Sequence, residues 1–179
     1  MAEKQKRPGR RDYLNNFKMD DSGKYAYRGT YMAYKNGGES WKRDLIRIWV
    51  CCAVPIILLI ILGFLPHSGL DGNLIVLLPY GLGIVALFVL VWKVTRLTHG
   101  GLRLRKYVYD ATVKVLPGYV AAVIITAAFA LVGIIITLIL GTFHGTVLST
   151  ILFIAGQLCA GFGGVFIQRV IRQMNWSET

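Results

Sequence analysis

Few residues in this chain are of the types that perform chemistry, and their spacing does not assemble a site. His67 and His144 fall in two short segments between apolar runs, and Asp71 lies near the first of them. Two imidazoles and a carboxylate are ligands that zinc accepts. Three such residues on short loops nevertheless arise often by chance, and no Cys-x-x-Cys or His-Glu-x-x-His pattern accompanies them. We therefore expect no metal, no cofactor and no catalytic residues, and a protein that is not an enzyme.

Gln157 is the most polar residue in the middle of an apolar run, since no Asp, Glu, Lys or Arg lies in the middle of one. Proton-coupled and cation-coupled transporters usually carry an ionisable group at membrane depth. The absence of such a group argues against that class, although backbone carbonyls can also coordinate ions. An amide in hydrocarbon seeks a hydrogen-bond partner. We expect the partner of Gln157 on another helix or across an oligomer.

The histidines and Gln157 lie in or between four long apolar runs, at residues 48–65, 74–92, 115–143 and 145–168. The chain as a whole is 55% hydrophobic and only 16% charged. A helix of roughly 20 apolar residues crosses a hydrocarbon core of about 30 Å. The sequence therefore predicts an all-α integral membrane protein, a bundle of four transmembrane helices. Residues 44–96 are expected to form the first transmembrane hairpin, and residues 115–168 the second.

The basic residues predict the orientation. All 20 Lys and Arg lie before the first run, between the second and third runs, or after the fourth, and loops 66–73 and 141–146 contain none. Positive residues in short loops stay cytoplasmic. We expect a multi-pass protein of the plasma (inner) membrane with a cytoplasmic N-terminal segment (1–43), central loop (97–114) and tail (169–179). Topology thus explains the net charge of +11, and no nucleic-acid partner is expected.

Small residues recur at a spacing of four in the third and fourth runs. This spacing keeps residues near one face of a helix, and transmembrane helices associate through close packing of small residues. The predicted packing residues are Gly118, Ala122, Thr126, Ala130, Gly156, Ala160 and Gly164, together with Gln157. The stripe on the fourth run would alternatively serve as a homo-oligomer face. The first run has few small residues, so we expect it to face lipid more than the others do.

The N-terminal segment is rich in aromatic residues. Residues 24–28 alternate polar with aromatic or small side chains, and turn signals flank them at 21–23 and 36–38. We predict a small β-hairpin over residues 24–35, whereas residues 102–114 suit a strand and a helix equally. Aromatic residues beside Lys and Arg are typical of a headgroup-level belt, and a docking surface is the alternative. The predicted contacts with membrane or partner are Tyr25, Tyr27, Tyr31, Tyr34, Trp41, Arg103, Arg105 and Lys106.

These patterns favour a non-enzymatic membrane protein, an accessory subunit or scaffold of a membrane assembly that acts through its cytoplasmic face. The expected partners are the bilayer, anionic lipid of the cytoplasmic leaflet, and either another membrane protein or further copies of the chain. The alternative function is a small homo-oligomeric channel or transporter. A membrane-bound enzyme or lipid-handling protein is a third hypothesis. The low polarity within the runs favours the first.

Overall fold

A computed structural model describes residues 16–19, 24–65, 73–142 and 144–179. Four long helices and one short helix account for most of these residues, and five short strands account for part of the remainder. The elements are β1 (Phe17–Met19), β2 (Tyr25–Tyr27), β3 (Tyr31–Tyr34), α1 (Gly38–Phe64), α2 (Leu74–Gly100), β4 (Arg103–Arg105), α3 (Lys106–Ala111), α4 (Leu116–Ile139), α5 (Val147–Gln173) and β5 (Trp176–Glu178).

The four long helices are long and apolar enough to cross a membrane, as the sequence predicts. At 1.5 Å per residue they measure about 36–40 Å, which exceeds a hydrocarbon core of about 30 Å. Each packs against two neighbours in the cyclic order α1, α5, α4, α2. Apolar side chains such as Phe64, Ile139 and Phe162 remain exposed on the outside of this bundle. The chain is therefore a multi-pass membrane protein whose outer surface suits lipid.

Pro55 interrupts the hydrogen bonds of α1 and frees the backbone carbonyl of Cys51, four residues earlier. A freed carbonyl in hydrocarbon must find another partner. Gly163 of α5 lies against this oxygen, because a Cβ added at Gly163 would stand 3.1 Å from it. Glycine at this position lets the α5 backbone approach, and its Cα–H can make a weak hydrogen bond to the carbonyl.

Pro79 creates the same situation in α2, where it frees the carbonyl of Ile75. Gly133 of α4 lies even closer to that oxygen, because an added Cβ would be 2.7 Å away. Each of the two internal prolines is thus matched by a glycine on the helix that packs against it. This pairing fixes α1 on α5 and α2 on α4.

Tyr80 connects both helix pairs in the bundle core. Its hydroxyl donates to the carbonyl of Leu59 at 2.8 Å, and its ring stacks on Phe153 with centroids 6.2 Å apart. Gly63 makes room for this hydroxyl, since a Cβ there would be 2.6 Å from the tyrosine oxygen. A buried phenol that finds an acceptor links α2 to α1 and to α5.

The expectation that α1 faces lipid more than the other helices is wrong. One third of its apolar span is buried, the same 33% as for α4 and α5, and α2 has the lowest share at 28%. The reason is that close packing needs small residues on only one of two helices. Leu59 of α1 lies over Gly156 of α5, where an added Cβ would be 2.9 Å from a leucine methyl.

The row of small residues predicted on α4 only partly coincides with its buried face. Gly118 is exposed with no neighbouring heavy atom within 4 Å of an added Cβ, Ala122 and Thr126 are half-buried, and only Ala130 is buried. Residues four apart in a helix advance by about 400°, so the row drifts by about 40° at each step. The face that packs inward includes Val120, Val123, Ala127, Ala130 and Ile134.

Alanine substitutions at the two glycines test the carbonyl contacts. We expect Gly133→Ala and Gly163→Ala to lower the free energy of unfolding by about 1–3 kcal/mol, because the added methyl meets backbone that cannot move aside. Gly133→Ala should cost more, since its Cβ would be closer to the carbonyl oxygen. Thermal unfolding of the full chain in mild detergent measures the change.

Gly81→Ala is the matched control. Gly81 lies inside α2, and an added Cβ would have no neighbouring heavy atom within 4 Å. Alanine there should leave stability unchanged or raise it by up to about 1 kcal/mol, because it reduces the flexibility of the unfolded chain. Equal losses in all three variants would contradict the importance of the carbonyl contacts.

Candidate interaction surface

Three segments distant in sequence meet in one antiparallel sheet at one end of the bundle. The central strand β3 pairs with β4, which follows α2, and with β5, which follows α5. Met32 of β3 stands opposite Leu104, and Tyr34 stands opposite Trp176. Backbone bonds continue beyond the strands, from Lys35 N–H to the Asn175 carbonyl at 2.9 Å. We call this sheet, together with β1, β2 and α3, the cap.

The hairpin predicted over residues 24–35 is replaced by a different pairing. Strand β2 pairs with β1, with Tyr27 opposite Phe17 and Tyr25 opposite Met19, while β3 lies in the other sheet. Both predicted strands exist, yet each bonds to a partner that sequence alternation cannot identify. Residues 102–114, for which strand and helix were equally expected, contain the short strand β4 and the short helix α3.

Four aromatic rings fill the space between the sheet and the ends of the helices. The ring centroid of Trp176 lies 5.5 Å from those of Tyr34, Trp41 and Tyr109, and Tyr34 and Trp41 are 5.1 Å apart. Edge-to-face pairs of this kind contribute about 0.5–1.5 kcal/mol each beyond burial. Tyr34 and Trp41, which the sequence places at a contact surface, are buried inside the cap. Their packing holds the cap on the bundle.

A buried hydrogen bond ties the central strand to α1. The Tyr34 hydroxyl donates to Oδ2 of Asp44 at 2.8 Å, and Arg47 stands 3.7 Å from the other carboxylate oxygen. Burial raises the pKa of Tyr34, and the acceptor carboxylate of Asp44 raises this pKa further. The bond supplies a donor to a carboxylate that is largely removed from solvent.

Two arginines of β4 lie on the face of the sheet that points away from the bundle, with Arg105 opposite Tyr31 and Arg103 opposite Ala33. Arg103 and Arg105 are exposed because alternate residues of β4 point away from the bundle. The Arg105 guanidinium lies 5.8 Å from the ring centroid of Phe17 and 5.5 Å from that of Tyr27. It therefore fastens the β1–β2 sheet to β4. Burial raises the pKa of Tyr27, whose ring packs edge-to-face against the rings of Phe17, Tyr31 and Tyr107.

The remaining predicted contact residues differ in their availability. Lys106 is exposed and makes an ion pair with Glu178 at 2.6 Å, and this partner raises the pKa of Lys106. Tyr25 is 72% exposed, and Tyr31 is half-buried. Of the predicted set, Tyr25, Arg103, Arg105 and Lys106 therefore offer the surface that an outside molecule would meet.

Every described Lys and Arg lies in the cap or within about three turns of the helix ends that join it. All of them except Lys93 are exposed. The ion pairs among the described residues are Arg47–Asp44, Lys106–Glu178 and Lys114–Asp110. The other described cations have no carboxylate partner within the described chain. This end of the molecule therefore carries a large excess of positive charge.

Among the described residues, the structure shows no group of three His, Cys, Asp or Glu side chains that could hold a metal. His67 and Asp71, two of the three residues in the metal hypothesis, lie outside the described residues, and His144 is exposed.

The predicted packing residues Gly156, Ala160 and Gly164 of α5 are all buried in the bundle.

Sequence reasoning missed strand β5 and the role of Trp176. Three residues are too few to show alternation, so the only signal was a tryptophan in an otherwise polar tail. The contact of Tyr109 with Trp176 was also missed, because strand and helix were equally expected for residues 102–114.

Comparison of the chain with protein-family models, with curated proteins and with solved structures finds no match.

Removing the Tyr34 hydroxyl tests the attachment of the cap. We expect Tyr34→Phe to lower the free energy of unfolding by about 1–3 kcal/mol, because the buried Asp44 carboxylate loses a donor. Tyr25→Phe is the control, and it should change stability by less than about 0.5 kcal/mol because this side chain is exposed. Unfolding followed by tryptophan fluorescence compares the two.

The same pair of variants has a distinct pH dependence. The raised pKa of Tyr34 means that the unfolded chain loses its phenol proton first. The stabilising contribution is complete below about pH 10 and is lost as the pH rises through the folded pKa. Tyr34→Phe should therefore lose less stability in alkali than the unchanged protein. An identical alkaline loss in both would contradict the role given to this bond.

Proposed function

We propose that the protein is a non-enzymatic accessory subunit or scaffold of a membrane assembly, with its cap in the cytoplasm. The observation that carries the proposal is the concentration of positive charge on a folded cap built from three separate segments. Positive residues in short loops favour the cytoplasmic side. A cap held by the aromatic cluster and the Tyr34–Asp44 bond presents that charge in a fixed arrangement.

Basic residues near the helix ends suit contact with anionic lipid. Arg47, Arg96, Lys114 and Arg169 are exposed, and each stands near the end of a different membrane-crossing apolar stretch. Anionic headgroups attract such residues by roughly 1 kcal/mol each when they lie near the surface. This set orients the bundle in the bilayer and leaves the outer face of the cap for another contact.

The outer face of the cap suits an acidic protein surface. Arg103 lies on the outward side of β4, and Lys24 and Arg28 are exposed at the ends of β2. Within the described chain none of the three is within ion-pair distance of a carboxylate. Exposed charges of one sign speed the encounter with a partner of opposite charge and select against others. The partner we propose is therefore a membrane protein with an acidic cytoplasmic surface.

Purification of the full chain from its native membrane in mild detergent tests this function. We expect one partner in fixed stoichiometry. Replacement of Lys24, Arg28 and Arg103 by glutamate should remove it, because the surface would then repel an acidic partner. The control replaces Arg96, Arg169 and Arg172 by glutamine, which alters the helix ends but keeps the cap surface. Purification of this chain without any other protein would contradict the accessory role.

A further inference from the structure

A groove on the outside of the bundle runs between α4 and α5 and has a volume of about 190 Å³. Leu158 and Phe162 line it and are 40% and 72% exposed, so the groove faces the surrounding membrane. Ala128 and Gly161 also line it. Small residues at this place let another helix backbone come close.

Gln157 lines the same groove, and packing alone does not explain this buried amide. Its side chain is 1% exposed, and its Nε2 has no hydrogen-bond partner among the described residues. A buried amide without a partner destabilises a protein by about 1–3 kcal/mol. The monomer therefore contains an unsatisfied donor at the edge of an open groove.

The depth of Gln157 limits what can supply the acceptor. It lies ten residues after Val147, the first residue of α5, which is about 15 Å along the helix axis. This distance is about half of a 30 Å hydrocarbon core. Water is scarce there, acyl chains have no acceptor, and lipid ester groups lie near the edges of the core. The acceptor must come from another protein segment.

A second groove shows what an ordinary lipid-facing cavity looks like in this molecule. It lies between α2 and α4, has a volume of about 410 Å³, and includes Thr126 in its lining. The Thr126 hydroxyl already donates to the carbonyls of Ala122 and Val123, each at 3.0 Å. Acyl chains can cover this groove without leaving a polar group unpaired. Of these two grooves, only the α4–α5 groove has an unpaired polar group in its lining, the Nε2 of Gln157.

We infer that a second copy of this chain docks on the α4–α5 groove through Gln157. A carboxamide is self-complementary, since its nitrogen donates and its oxygen accepts. A two-fold axis along the membrane normal places the two copies of Gln157 at the same depth. Each Nε2 then donates to the Oε1 of the other copy. The exposed side chains of Leu158 and Phe162 turn aside to open the approach, a rotamer change that is common at interfaces.

Cross-linking in the native membrane tests the location of the interface. Leu158→Cys and Val85→Cys are compared in full chains whose Cys51, Cys52 and Cys159 are replaced by alanine. Both positions are exposed and lie eleven residues after the first residue of a helix, Val147 and Leu74 respectively. Oxidation should give a homodimer with Leu158→Cys and none with Val85→Cys.

Gln157→Met tests the hydrogen bonds themselves. Interhelical hydrogen bonds in membranes average about 0.6 kcal/mol, so the dimerisation constant should fall about threefold per bond and about eightfold for two. Fluorescence energy transfer between labelled copies in liposomes measures this constant. The unfolding temperature should stay the same or rise, because an unpartnered amide leaves the apolar interior. Thr126→Val, in the other groove, should leave the dimerisation constant unchanged.

Other results would overturn the inference. A protein that stays monomeric, or that cross-links equally well from Val85→Cys, has no interface at this groove. A dimer whose affinity is unchanged by Gln157→Met does not use the amide. A cross-link from Leu158→Cys to a different protein, without any homodimer, would assign the groove to a foreign helix. Because these measurements concern the membrane-embedded surface, they fail or succeed independently of the cap's acidic partner.

Discussion

The hydrocarbon core of a bilayer supplies neither water nor counter-ions, and this constraint orders the whole structure. Every described Lys and Arg lies at one end of the bundle, in the cap or near the helix ends that join it. The carbonyls freed by Pro55 and Pro79 are covered by Gly163 and Gly133 of adjacent helices. Without a hydrophobic drive between helices, such close contacts are what stabilise the bundle.

The same constraint connects the bundle to its cap. Helices α1, α2 and α5 extend beyond the hydrocarbon. Strand β3 leads into α1, while α2 and α5 lead into β4 and β5, so pairing of the three strands depends on the positions of three helices. Tyr34 serves both parts, because its ring packs in the aromatic cluster while its hydroxyl bonds to Asp44 of α1. A shift of any one helix would disturb the sheet. The positive surface therefore depends on the packing within the membrane.

The sequence predicts those features that follow from local composition. Long uncharged runs identify the four helices, and the inward-facing Gly156, Ala160 and Gly164 could be read from their spacing. Pairing between distant segments does not follow from local composition, so the sequence does not predict that β3 pairs with β4 and β5. The alternation of residues 24–35 indicates strands but not their partners. The row beginning at Gly118 has three steps and drifts by about 120° around a helix of 3.6 residues per turn, so it leaves the buried face, whereas the shorter row on α5 has only two steps.

The orientation we propose places the cap and its positive charge in the cytoplasm. Single cysteines at Lys35, exposed beside the cap sheet, and at Gly145, in the loop at the other end, test it in chains whose native cysteines are alanine. A membrane-impermeant thiol reagent added to intact cells should label Gly145→Cys and should label Lys35→Cys only after the membrane is opened. Labelling of Lys35→Cys in intact cells, with Gly145→Cys protected, would show that the cap faces the outside of the cell.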